Sequence, residues 1–138
     1  MKIAVVKTNL RHFFYHWVTV TFPIHKLGKM DKAVLAELLY YRYKFSLKID
    51  SEEFVQKMLF DYDTKLQIAE NLKINQGRFA MILTSLRKKG IVNGRTLNSV
   101  YTPGLKAGAE EFTFAYKFKI SDNGSKAEDN KEDDAASK

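Results

Sequence analysis

The chain contains no cysteine. That excludes a disulfide framework, a thiol nucleophile and a cysteine-based zinc site, and it suits a reducing compartment. No apolar run approaches the length of a membrane span, and the apolar stretch within Met1 to Lys7 is too short for a signal peptide. The expectation is a cytoplasmic protein with no membrane partner. A glycine-rich phosphate cradle is also missing, because Gly104 and Gly108 are isolated and lack the Lys-Ser/Thr pair such loops need. There is no internal repeat. What is present is a 138-residue chain with 45% hydrophobic and 13% aromatic residues, enough for one compact domain with an extension.

Charge is unevenly spread. From Ser121 onward six acidic residues (Asp122, Glu128, Asp129, Glu132, Asp133, Asp134) stand against three lysines. Residues 1–120 therefore hold 20 of the 23 basic and 10 of the 16 acidic residues, a net of +10. A basic body with an acidic tail points to a polyanionic partner and to a tail able to compete for the same surface. The plainer alternative is a lysine-rich surface that serves solubility. Residues 121–138 are too poor in apolar side chains to order themselves, so they are expected to be disordered.

The most informative stretch runs from Asp63 to Gly90. Asp63 and Thr64 offer capping oxygens for a helix with an apolar stripe through Leu66, Ile68, Ala69 and Leu72. Lys73 and Ile74 leave almost no room for a loop. Asn75 is a good cap for a second helix, in which Phe79, Ile82, Leu83 and Leu86 recur at i, i+3, i+4 and i+7. Arg87, Lys88 and Lys89 suit the last turn, and Gly90 is the expected stop.

This stretch resembles the helix-turn-helix of the winged helix-turn-helix DNA-binding family. The likeness rests on Ile68 to Asn75 and on Leu83 to Val92, within a wider span from Met30 to Ile120. It implies a winged helix-turn-helix core over residues 30–120 with a C-terminal β-wing. The N-terminal β-arm and connector (residues 1–29) lie outside the likeness and are read from their own residues below; with them and the acidic tail from residue 121, the expected fold class is α+β. The likeness also implies a non-enzymatic, double-stranded DNA-binding function in transcription control or replication initiation, with no cofactor. Such regulators usually act as dimers, so a homo-oligomer is expected. Many of these turns carry glycine where Lys73 stands. A positive φ at that position costs a lysine about 1 kcal/mol; an ordinary φ would bend the turn differently. The style of the stretch, and of Asn98 to Pro103, also resembles small tailed-bacteriophage proteins. In that setting phage structural or replication proteins become partners, and assembly through protein–protein contacts is the alternative function.

The remaining segments read as follows. Residues 3–22 look like β-structure, rich in aromatic and β-branched residues, with Asn9 as a turn. Phe13, Tyr15 and Trp17 then share one face of a strand and are the candidate oligomer interface, the open alternative being that the arm caps the single core. Pro23 ends that run. Asp31 can cap a helix burying Val34, Leu35, Leu38 and Leu39, followed by Tyr40, Tyr41 and Tyr43 beside Arg42 and Lys44. Those tyrosines are either stacking groups or ordinary boundary residues. Asp50 or Ser51 starts a helix burying Phe54, Val55, Met58 and Leu59. Asn93-Gly94 is a tight turn. Glu111 to Ile120 alternates apolar and polar residues and is expected to be the returning strand of a wing.

Candidate site residues follow from the second helix. With its stripe inward, Gly77, Met81, Thr84 and Lys88 project outward, flanked by Arg78, Ala80, Ser85 and Arg87. If this helix enters a major groove, Gln76 and Arg78 are the side chains best suited to read bases, beside the cap Asn75. Gly77 permits close backbone approach. Thr84, Ser85, Arg87 and Lys88, with Lys65, Arg95 and Lys106, are the phosphate candidates. No acidic residue occurs from Asn71 to Lys89; an ordinary solvated helix mixes signs. Catalytic and metal chemistry have little to rest on. His12 and His16 lack a nearby carboxylate as third ligand, and Glu52, Glu53, Asp61 and Asp63 read as helix caps and first-turn acids.

Overall fold

The computed structural model describes residues 3–21, 26–115 and 117–122. The break at Pro23, Tyr116 and most of the acidic tail lie outside the described residues. The chain divides into two compact units, Met1–Pro103 and Gly104–Lys138.

The first unit is helical. In chain order it holds α1 (Leu10–Val20), α2 (Lys29–Ser46), α3 (Glu52–Leu59), α4 (Tyr62–Leu72) and α5 (Gln76–Lys88). A hairpin of β1 (Val92–Asn93) and β2 (Thr96–Leu97) and a 3-10 turn at Ser99–Tyr101 follow. Helix α2 touches each of the other four helices. Its stripe of Val34, Leu35, Leu38 and Leu39 is buried as its spacing predicts, and full burial of each such side chain contributes about 2 kcal/mol.

This architecture overturns the expected winged-helix fold. Five helices and one two-stranded antiparallel sheet are what the described residues form. Among them there is no N-terminal β-arm. Residues 10–20 are a helix, and the Asn9 side chain caps it by accepting from the His12 amide at 2.9 Å. Phe14, Trp17, Val18 and Thr21 recur at i, i+3, i+4 and i+7, which is a helical stripe. Phe14 and Val18 are buried, and the Phe14 ring meets Tyr40 and Tyr43 of α2 with centroids 6.2 and 5.8 Å apart. The expected interface face dissolves with the strand. On a helix Phe13 and Trp17 stay together while Tyr15 turns away from them, and Trp17 Nε1 donates to the Tyr101 carbonyl at 3.0 Å.

The expected wing is equally reduced. Val92 pairs with Leu97 and Asn93 with Thr96, so the ladder spans two residues a side. Gly94, with φ of 64°, is the first of the two turn residues, where such hairpins favour glycine. The hairpin is held from outside its own ladder. Gln56 of α3, although polar, is buried; its Oε1 accepts from the Leu97 amide at 2.9 Å and its Nε2 donates to Glu52 at 2.9 Å. Glu52 also accepts from Arg42 of α2 at 2.9 Å. Burying Gln56 rolls α3 about its axis. Val55 and Leu59 stay inside, but Phe54 and Met58, expected in the core, are exposed.

Of the second unit, residues 104–115 and 117–122 are described, and they form no helix or strand. A turn closes through the Ala109 amide on the Lys106 carbonyl, with Gly108 at φ of 73°. Glu111 to Ile120, expected as a strand, has no ladder among the described residues. Alternation sorts side chains onto two faces, but a strand persists only where a neighbour takes up its backbone groups.

Candidate nucleic-acid interface

The Asp63 to Gly90 stretch forms two helices across a tight turn, with boundaries shifted by a residue or two. Helix α4 starts under the cap Asp61, whose carboxylate accepts from the Asp63 amide, while Thr64 Oγ1 donates instead to the Met58 carbonyl at 2.7 Å. The helix ends at Lys73 with φ 57° and ψ 43°, the left-handed conformation that favours glycine. The Ile74 amide returns to the Ala69 carbonyl at 3.0 Å and closes the end. Lys73 thus adopts the positive φ that its side chain disfavours. Two residues further, Asn75 Oδ1 accepts from the Arg78 amide at 2.8 Å and starts α5.

Helix α5 buries Phe79, Ile82, Leu83 and Leu86, the four residues its spacing predicts. That burial fixes the opposite side. Gly77, Met81, Thr84 and Lys88 form the outermost row, all exposed. Arg78 and Ser85 lie on one flank; Gln76, Ala80 and Arg87 lie on the other. No hydrogen bond or ion pair within the described residues engages the side chains of Gln76, Arg78 or Lys88. Thr84 turns its hydroxyl back onto the Ala80 carbonyl at 3.0 Å. Gly77 is an ordinary helical glycine whose added Cβ would meet nothing closer than Asn75 Oδ1 at 3.5 Å.

The C-terminal third of α5 differs. Ser85 Oγ donates to Asp31 of α2 at 3.1 Å, and Lys89 Nζ approaches the same carboxylate at 3.5 Å. Arg87 Nε donates to the Gly94 carbonyl at 2.8 Å, tying the helix to the hairpin turn. Arg95, at that turn, donates to the Phe60 carbonyl at 3.1 Å. Ser85, Arg87 and Arg95 are therefore positioning groups as much as phosphate candidates. Lys65 stands half-buried in the first turn of α4, and Lys106 belongs to the second unit. The sequence candidates gathered on one exposed face are thus Gln76, Gly77, Arg78, Met81, Thr84 and Lys88.

Sequence reasoning missed the roles of two acids that shape this region. Gly28 occupies the cap position of α2 that Asp31 is expected to fill, and Asp31 reaches across to α5. Glu37, 7% exposed, lies in the middle of α2. It accepts from Arg11 of α1 at 2.5 Å and from Asn71 of α4 at 3.1 Å. Asn71 also donates to the Tyr41 hydroxyl at 3.0 Å, and Arg11 lies 4.3 Å over the Tyr40 ring. Partial burial disfavours the charged Arg11 guanidinium, but its hydrogen bond and Coulomb attraction to Glu37 outweigh that, so its pKa is raised. A local signal for Glu37 exists: a carboxylate between Ala36 and Leu38, inside an apolar stripe, needs partners. The tyrosines weighed as base-stacking groups are occupied within this seam.

Among the described residues no group of three or more His, Asp or Glu side chains is placed to hold a metal, and no helix is long and apolar enough to cross a membrane. A depression of about 670 Å³ is lined by Glu52, Glu53, Gln56, Lys57, Asp61, Arg95 and Thr96. Its central groups are already engaged, Glu52 by Arg42 and Gln56 by Leu97. Comparison with known proteins finds no matching family model, curated protein or solved structure.

Proposed function

We propose that the chain is a non-enzymatic, double-stranded DNA-binding protein of a transcription-control or replication-initiation type. In this reading α5 enters the major groove and the Gly94–Arg95 turn lies along the phosphate backbone. The carrying observation is the exposed face of α5: Gln76, Arg78 and Lys88 engage no side-chain partner among the described residues. No acidic residue occurs from Asn71 to Lys89. Asp31, the acid that does approach, meets only the far end of the helix. A net of +10 over residues 1–120 supplies the long-range attraction for a polyanion.

The test is a salt titration of binding to a random-sequence duplex. Affinity is expected to fall steeply with salt, as counterion release requires. Absence of binding at low salt would remove the reading. A second reading, assembly with another protein, is favoured by Phe54 and Met58, one helical turn apart on α3, and Tyr62 at the start of α4, all exposed. Under that reading Phe54→Ala with Met58→Ala abolishes partner binding, and Arg78→Ala with Lys88→Ala does not.

A further inference from the structure

The outer face of α5 is not uniformly polar. Its outermost row is Gly77, Met81, Thr84 and Lys88, with Ala80 beside it and Met81 73% exposed. Ahead of Lys88 this ridge offers almost no hydrogen-bonding side chain. Gly77, Ala80 and Met81 have none to offer, and the Thr84 hydroxyl is turned back onto the Ala80 carbonyl. The polar groups flank it: Arg78 on one side, Gln76 and Arg87 on the other, Lys88 at the end. This is an apolar strip between cations. A helix that read its site through hydrogen bonds alone would place donors and acceptors along the strip. A major groove presents a matching pattern at one base only. The thymine 5-methyl group is the apolar element of the groove floor, and phosphates run along both sides.

Resting on the DNA-binding reading, we infer that Met81 packs against thymine 5-methyl groups, so that the protein selects duplexes by methyl content at the groove floor. Gly77, one turn before Met81, leaves room for the helix to come close enough for that contact. The polarity of the site is then divided: cations hold the phosphates and set affinity, and the ridge sets preference.

The experiment uses the full chain and two duplexes of equal length, one of dA·dT and one of dA·dU. They carry the same charge and the same hydrogen-bonding edges and differ in the 5-methyl group. The dA·dT duplex is expected to bind more tightly, by about fourfold for each methyl buried. Met81→Ala, a substitution at an exposed helical position to a strong helix former, is expected to lower the dT preference toward unity while keeping the salt slope. Replacing cytosine by 5-methylcytosine in a dG·dC duplex tests the same group on another base and is expected to raise affinity. Equal wild-type binding to dA·dT and dA·dU, with a steep salt slope on both, would overturn the methyl contact and leave the DNA-binding reading standing. A dT preference unchanged in Met81→Ala would also overturn it. Binding to neither duplex at low salt would remove the DNA-binding reading and this inference with it, pointing to a protein partner on the ridge.

Discussion

Arg11 and Arg78 carry the same guanidinium and are used in opposite ways. Arg11 stands at the seam of α1, α2 and α4, against the buried Glu37 carboxylate and over the Tyr40 ring. Arg78 stands on the outer face of α5 with no side-chain partner among the described residues. The seam satisfies its polar groups internally, and every buried side-chain polar atom described has a hydrogen-bond partner. The outer face leaves its polar groups to water. A polar group buried in the fold is satisfied by its partners; an exposed one without partners is left to water or to a ligand.

The sharpest way to break this contrast is at Glu37. Glu37→Ala leaves Asn71 and Arg11 without their shared acceptor. It is expected to lower unfolding free energy by about 2 kcal/mol, less than the ~3–5 kcal/mol of a fully buried pair, because Arg11 is 42% exposed and regains water. A shift of the urea midpoint measures it; an unchanged midpoint would show that the seam contributes only packing. The matching change on the outer face is Arg78→Ala with Lys88→Ala. Stability should move by less than about 0.5 kcal/mol. The slope of log affinity against log salt should become shallower by about 2, roughly one unit for each phosphate no longer neutralised. If the pair lowers stability as much as the Glu37 change does, the face is structural.

Smaller effects sharpen the distinction further. Gly77→Ala makes only an ordinary van der Waals contact with Asn75 Oδ1, at 3.5 Å and ordinary φ, and is expected to stabilise α5 by about 0.5–1 kcal/mol. The added methyl should nonetheless weaken duplex binding severalfold, because it holds the helix off the groove. A variant that melts higher and binds as before would refute close approach at Gly77. Lys73→Gly is expected to relieve the left-handed strain at the end of α4 and to raise stability by at most about 1 kcal/mol. Thermal melting checks it, and duplex binding should be unaffected, since the turn keeps its shape.

The same contrast explains how far the sequence could be read. The α5 helix was legible because its Asn75 cap and an i, i+3, i+4, i+7 stripe agree, and its exposed residues follow from the buried ones by rotation; the start of α4 was not, since Asp61 caps it and not Asp63 or Thr64. Helix α1 was not. Aromatic and β-branched composition suggests a strand, yet Phe14, Trp17, Val18 and Thr21 also satisfy a helical period, and packing on α2 selects that period. The α3 stripe was misplaced because hydrophobicity favours Phe54 over Gln56, whereas the Leu97 amide, 41 residues away, requires an acceptor. Glu111 to Ile120 shows the converse. Its alternation is regular, but a period alone supplies no partner strand. The Asp31–Ser85 contact spans 54 residues and leaves no local trace.

Gln56 has a consequence in time. A ladder of two residues a side is far below the size at which a hairpin persists alone. The Leu97 amide is therefore shielded from solvent only while α3 stays docked with the Gln56 carbonyl against it. Local sequence can close the Gly94 turn within microseconds, but a ladder this short does not keep it closed without its outside contacts, the Gln56 bond among them. The exchange of a single amide proton at Leu97 then reports how rarely a helix 41 residues upstream undocks. The same turn is tied to the end of α5 by the Arg87 bond to the Gly94 carbonyl.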